Sequence, residues 1–90
     1  MARYLIQRTF PTGLAIPMNS DGATLIAKVN AVNAKAGVTW QRSYVTEDKT
    51  KTFCIYDGPS PEAIRDVAER NGLPVDSITP ISVLDAHPYL

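Results

Sequence analysis

One cysteine, one histidine and one tryptophan occur in 90 residues. The lone Cys54 excludes an internal disulfide and any Cys-x-x-Cys metal or redox pair within one chain, which points to the reducing cytoplasm. Neither sign of charge dominates. Nine Lys plus Arg face nine Asp plus Glu, which argues against a protein built to grip phosphate backbones. No apolar run approaches the ~20 residues of a membrane span, and MARYLIQRTF lacks the apolar stretch of an export signal. Glycine loops of the Gly-x-x-x-x-Gly-Lys-Ser/Thr or Gly-x-Gly-x-x-Gly kind are missing, so nothing cradles phosphates. A Ser-His-Asp triad would have to be assembled around His87, close to the C-terminus, which disfavours it. What is expected is one soluble cytoplasmic domain over residues 1–90, with neither nucleic acid nor membrane as partner.

What is present is a regular alternation of element signals. Tyr4 to Phe10 opens with Tyr-Leu-Ile and predicts a first strand. Two prolines and a glycine in Phe10-Pro11-Thr12-Gly13-Leu14-Ala15-Ile16-Pro17 then break any regular element. This connection reads either as a packed crossover anchored by Leu14 and Ile16 or as a functional cover. Asn19, Ser20 and Asp21 offer capping oxygens for a helix that Gly37 ends, with Leu25, Val29, Val32 and Ala36 along one stripe. Val38 to Val45 and Thr52 to Tyr56 read as a β-hairpin around Glu47-Asp48-Lys49-Thr50, its register left open.

Ser60-Pro61-Glu62 starts a second helix with a cap, a proline at the first position and a carboxylate for the dipole. Ile64, Val67 and Ala68 form its inward stripe, and Asp66 with Arg70 makes an i,i+4 pair. Gly72-Leu73-Pro74 stops it. Ser77 to Leu84 is the last strand, and Pro80 within it requires a sheet edge.

The order β-α-β-β-α-β with two short amphipathic helices is that of an α+β ferredoxin-like sandwich, a four-stranded antiparallel sheet with both helices on one face. Its second and fourth strands are edges, in agreement with Pro80. The other face is left bare, and a bare face with aromatic residues calls for a partner. A homodimer closed over this face or along an edge strand is expected.

Chemistry concentrates on the hairpin. If Trp40, Arg42 and Tyr44 share the open face with Cys54 and Tyr56, they wall a pocket around one cation and one thiol. Such a pocket suits a small planar or anionic molecule; the same aromatics equally serve as interface core. Lys51-Thr52-Phe53-Cys54-Ile55-Tyr56 lacks the glycines of RNA-binding third strands. Asp85 and His87 alternate onto one side of an extended tail and can hold a divalent metal if a partner chain completes the set. Cys54 is the remaining ligand-type side chain, although a single cysteine serves as a small buried apolar residue as readily.

Arg8-Thr9-Phe10-Pro11, Gly37-Val38-Thr39-Trp40, Ser43-Tyr44-Val45, Lys51 to Tyr56, Pro59 to Arg65, Asn71 to Asp76 and Val83-Leu84-Asp85 together carry a likeness that runs nearly end to end. On these residues the chain resembles a family of small bacterial ferredoxin-like proteins with members described as nickel-binding. The resemblance implies a dimeric ferredoxin-like protein and a role for nickel or another divalent metal. Gln7 stands where that family commonly has Glu, and Arg42 where it commonly has His. Loss of a carboxylate and an imidazole in favour of a fixed positive charge weakens any divalent site between those strands.

The expected function is therefore a non-catalytic, dimeric binding protein with weakened metal binding. The alternative is a dimeric α/β-barrel enzyme or binder, with Gln7, Trp40, Arg42, Tyr44 and Tyr56 around an organic ligand and residues 10–19 as a lid.

Overall fold

The structure is a computed structural model that describes residues 1–89. Its elements are β1 (Ala2–Thr9), α1 (Ser20–Lys35), β2 (Thr39–Val45), β3 (Lys51–Gly58), α2 (Pro61–Arg70) and β4 (Ser77–Ile81), followed by a 3-10 turn at His87–Tyr89. The sheet order is β2-β3-β1-β4, and all three pairings are antiparallel. This is the ferredoxin-like arrangement, with β2 and β4 as edges. Pro80 lies in edge strand β4 opposite Tyr4.

Strict alternation sets the layers. In β1, Tyr4, Ile6 and Arg8 are buried while Leu5 and Gln7 are half-exposed. In β3, Thr52, Cys54, Tyr56 and Gly58 are buried. The core joins Tyr4, Ile6, Cys54 and Tyr56 of the sheet to Val38, Ile64 and Val67, so this face lies under the helices. No helix among the described residues packs on the opposite, outer face.

Both helices are stopped by the same device. Gly37 (φ +70) and Gly72 (φ +68) take the left-handed conformation that glycine adopts without a Cβ penalty. Val38 N then donates to Asn33 O, and Leu73 N to Ala68 O. At the starts, Asn19 Oδ1 accepts from Asp21 N and Gly22 N, and Ser60 Oγ accepts from Ala63 N. Arg70 and Asp66 pair at 3.0 Å.

Three expectations change. First, β4 ends at Ile81 instead of Leu84, and Val83 and Leu84 are exposed. Secondly, β1 starts at Ala2 and ends at Thr9. Thirdly, the α1 stripe packs loosely: Val29, Val32 and Ala36 are half-buried and Leu25 is 45% exposed. The fully buried positions of α1 are Gly22 and Asn33. Asn33 takes a core place because its amide oxygen accepts from Asn71 Nδ2 at 3.2 Å, tying the two helix ends together.

Candidate functional site

A single irregularity in β2 distributes the hairpin side chains between two faces. Trp40 pairs with Tyr56 and Arg42 with Ile55, so Gln41 is an extra residue in a β-bulge. Simple alternation would place Trp40, Arg42 and Tyr44 together. The bulge instead leaves Trp40 on the helix side, along with Ser43 opposite Cys54 and Val45 opposite Thr52. Arg42 and Tyr44 fall on the outer face, opposite Ile55 and Phe53. The five hairpin residues expected to share one pocket are thus divided, with Trp40, Cys54 and Tyr56 inside and Arg42 and Tyr44 outside.

The inner set lines a cavity of about 360 Å³. Strand residues Arg8, Trp40, Ser43, Thr52, Cys54 and Tyr56 form its floor, and Leu25, Ile26 and Val29 of α1 lie over them. Phe10, Leu14, Ala15 and Ile16 close the side, and Asn71 and Leu73 complete it beyond α2. Residues 10–19 therefore do cover a cavity, on the helix side of the sheet. Two hydrogen bonds hold this cover to the hairpin: Phe10 N donates to Thr50 O, and Leu14 N to Lys49 O. Asp48 organises that turn by accepting from Thr50 N, Thr50 Oγ1 and Thr46 Oγ1. The Thr50 backbone bond, more than any other contact, holds the Asp48 carboxyl below its usual range.

On the cavity floor, polar groups form one directed chain. Trp40 Nε1 donates to Ser43 Oγ at 2.9 Å, Ser43 Oγ to Cys54 Sγ at 2.9 Å, and Cys54 Sγ to Thr52 Oγ1 at 3.5 Å. The Trp40 and Tyr56 rings stack with centroids 6.4 Å apart. Beside Thr52 in the β1–β3 register lies Arg8, only 2% exposed. Its guanidinium donates to Pro74 O at 2.7 Å and to Tyr56 Oη at 3.4 Å, and lies 5.7 Å from the Tyr56 ring centroid. Burial, opposed by the Arg8 charge, pushes the Tyr56 phenol up, so Tyr56 is neutral and supplies no counter-charge. Among the described residues no carboxylate pairs with Arg8.

Sequence reasoning missed Arg8, Ser43 and Thr52. The signal existed for Arg8: it follows Tyr4 and Ile6 at spacings of two, in phase with core positions. An arginine in that phase enters the core.

The outer face has its own polar knot. Asp57 accepts from Arg3 Nε at 2.7 Å, from Arg3 Nη2 at 3.1 Å and from Gln41 Nε2 at 2.8 Å, linking three strands. The Arg3 bonds hold the Asp57 carboxyl below its usual range. A depressed carboxylate stabilises the fold above its ordinary pKa and loses that contribution as pH falls through the folded value. We therefore expect Asp57→Asn to flatten the fall in melting temperature as the pH drops below about 4. Parallel acid limbs in the two proteins would count against the knot.

Gln7 also lies on the outer face, opposite Phe53, one row from Arg42. Cys54 is buried beneath the helices, whereas Asp85 and His87 lie beyond β4, where Asp85 Oδ1 accepts from His87 N at 2.9 Å. These three are not brought together. Among the described residues no group of three or more His, Cys, Asp or Glu could hold a metal ion, and the guanidinium of Arg42 has no lone pair to offer. The donor set of one chain does not fit a divalent cation. No helix among the described residues is long and apolar enough to cross a membrane.

The family model of nickel-responsive SCO4226-like proteins matches residues 4–81. The chain belongs to this family. The crystal structure of SCO4226 from Streptomyces coelicolor A3(2) shares the fold with a TM-score of 0.72, over 93% of this chain and 100% of that one, at 22% identity. No curated protein gives a significant sequence match. Fold and family as expected from sequence are thus both found.

Proposed function

We propose that the chain is a non-catalytic binding protein that works as a homodimer closed over the outer sheet face, with divalent-metal binding weakened relative to its family. The observation that carries the reading is the composition of that face. Leu5, Phe53 and Ile55 form an apolar centre, Tyr44 beside them is 58% exposed, and a fixed cation stands at Arg42. An apolar sheet face of this kind gains by being removed from water. A second copy supplies the matching surface by two-fold symmetry. Arg42 then repels a divalent cation from the place where the family commonly has an imidazole.

Sedimentation and thermal melting test both parts. The protein is expected to sediment as a dimer, and Phe53→Glu, which places a charge at the centre of the face, as a monomer. Nickel at about 1 mM is expected to leave the melting temperature of the parent unchanged. A site with a dissociation constant near 10 µM would contribute about 2.7 kcal/mol under that condition, a shift of roughly 10 °C or more in a domain of this size. Gln7→Glu combined with Arg42→His is expected to gain such a shift. A parent that is monomeric at every concentration overturns the dimer, and one that nickel stabilises overturns the weakened site.

A further inference from the structure

We infer that the cavity between the sheet, α1 and residues 10–19 binds a small organic monoanion, a carboxylate carrying an aromatic or branched aliphatic body. The argument starts from unused donors. Arginine keeps its charge and offers five N–H groups; Arg8 places two of them, on Pro74 O and Tyr56 Oη. The other three have no acceptor among the described residues, and no carboxylate neutralises them. Ions taken out of water require a partner.

A second observation is the direction of the floor hydrogen bonds. An indole nitrogen only donates, so Trp40 sets Ser43 as acceptor, Ser43 donates onward to Cys54, and Cys54 to Thr52. The chain ends with the Thr52 hydroxyl accepting. Its own proton has no acceptor among the described residues, in a side chain only 2% exposed. Thr52 and Arg8 are register partners on adjacent strands. The Thr52 hydroxyl and the Arg8 guanidinium therefore line the same cavity, each with donor capacity to spare. The complementary ligand group is a planar anion able to take a forked guanidinium bond.

Apart from Ser43 and Asn71 the remainder of the wall is mainly apolar, with Leu14, Ile16, Ile26, Val29 and Leu73 and the Trp40 ring on the floor. That lining asks for a hydrocarbon or aromatic body, not for a hydrated inorganic ion. The volume of about 360 Å³ falls in the range of roughly 300–1,000 Å³ typical of small-molecule sites. The cover is joined to the hairpin by two backbone hydrogen bonds, so it can open with little loss of structure.

Trp40 is the sole tryptophan and lines the cavity, so its fluorescence reports the site. The probes are phenylacetate, benzoate and hexanoate, set against phenylacetamide, acetate and inorganic phosphate. At least one of the three apolar carboxylates is expected to give a saturable fluorescence change and a rise in melting temperature. Phenylacetamide, matched in shape but neutral, is expected to bind about tenfold or more weakly than phenylacetate, and acetate and phosphate to give no change. Arg8→Met and Val29→Phe, the second of which fills the cavity and keeps the cation, are each expected to weaken binding about tenfold or more.

Equal binding of the amide, equal binding of phosphate, or unchanged carboxylate binding by Arg8→Met overturns the proposal. So does silence from all three carboxylates at about 10 mM. If Arg8→Met does not fold, Val29→Phe decides alone. The site is independent of the outer face, and the monomeric Phe53→Glu protein is expected to bind the carboxylate as the parent does.

Discussion

Replacing Ile64 with alanine is expected to lower the unfolding free energy by about 2–5 kcal/mol, in the upper half of that range. Ile64 is 0% exposed and sits at the centre of the cluster formed by Tyr4, Ile6, Val38, Tyr56 and Val67. Its branches rest on Gly58: a Cβ at Gly58 would lie 3.2 Å from Ile64 Cγ1 and 3.4 Å from Cδ1. Glycine has no side chain to swing into the space that a truncated Ile64 would leave. The C-terminal end of α2 is also held to other elements, Asn71 Nδ2 donating to Asn33 Oδ1 of α1 and Arg8 of β1 to Pro74 O, which limits how far the helix can settle onto the sheet. The hole therefore stays open, and the cost depends on how far a hole can close. Small domains are stable by only about 5–15 kcal/mol, so this one change removes a large fraction. The measurement is a urea transition, with a lower midpoint at unchanged slope. A loss below about 1 kcal/mol would mean that α2 relaxes into the space and that the seat on Gly58 is soft.

Gly22→Ala is expected to destabilise, against the usual sign. Alanine within a helix is normally preferred to glycine by up to about 1 kcal/mol. Here an added Cβ would fall 1.7 Å from the carbonyl oxygen of Pro17 and 2.9 Å from its carbon. Both are backbone atoms, so no rotamer change relieves the contact, and the segment before α1 has to lift. Overpacking of this kind costs about 1–3 kcal/mol, which outweighs the propensity gain. Ile16 and Leu14 belong to the same segment and line the cavity, so the displacement is expected to wet Trp40 and shift its emission to longer wavelength. Equal or greater stability with unchanged emission would show that residues 10–19 do not rest on α1.

Periodicity and punctuation carried most of the fold. Asn19, Gly37, Ser60, Pro61 and Gly72 all act at the helix ends where their chemistry places them, because capping and left-handed turns are decided locally. The inward stripe of α2 was equally plain. That of α1 was not: its apolar residues overhang a cavity, and the buried places went to Gly22 and Asn33 for reasons of backbone approach and a hydrogen bond from α2. Neither reason has a spacing. The site was half legible. Trp40, Cys54 and Tyr56 were singled out and share the inner cavity, and residues 10–19 cover it. Arg42 and Tyr44 were grouped with them because alternation was counted through Gln41. A bulge leaves no composition signal strong enough to interrupt such a count, and it reverses every side chain beyond it.

That extra residue makes β2 a strand with two allegiances. Upstream of Gln41, Trp40 serves the chamber; downstream, odd-numbered side chains turn inward and even-numbered ones outward. Delete Gln41 and, by geometry alone, Arg42 would follow Trp40 in plain alternation, with Arg42 and Tyr44 still outward and Ser43 and Val45 still inward. A one-codon loss there removes the hydrogen bond from Gln41 to Asp57 and the local bend, and leaves each compartment with its own side chains. The inserted residue thus changes the parity of the sequence and leaves the two walls of the sheet as unbroken pairing would set them.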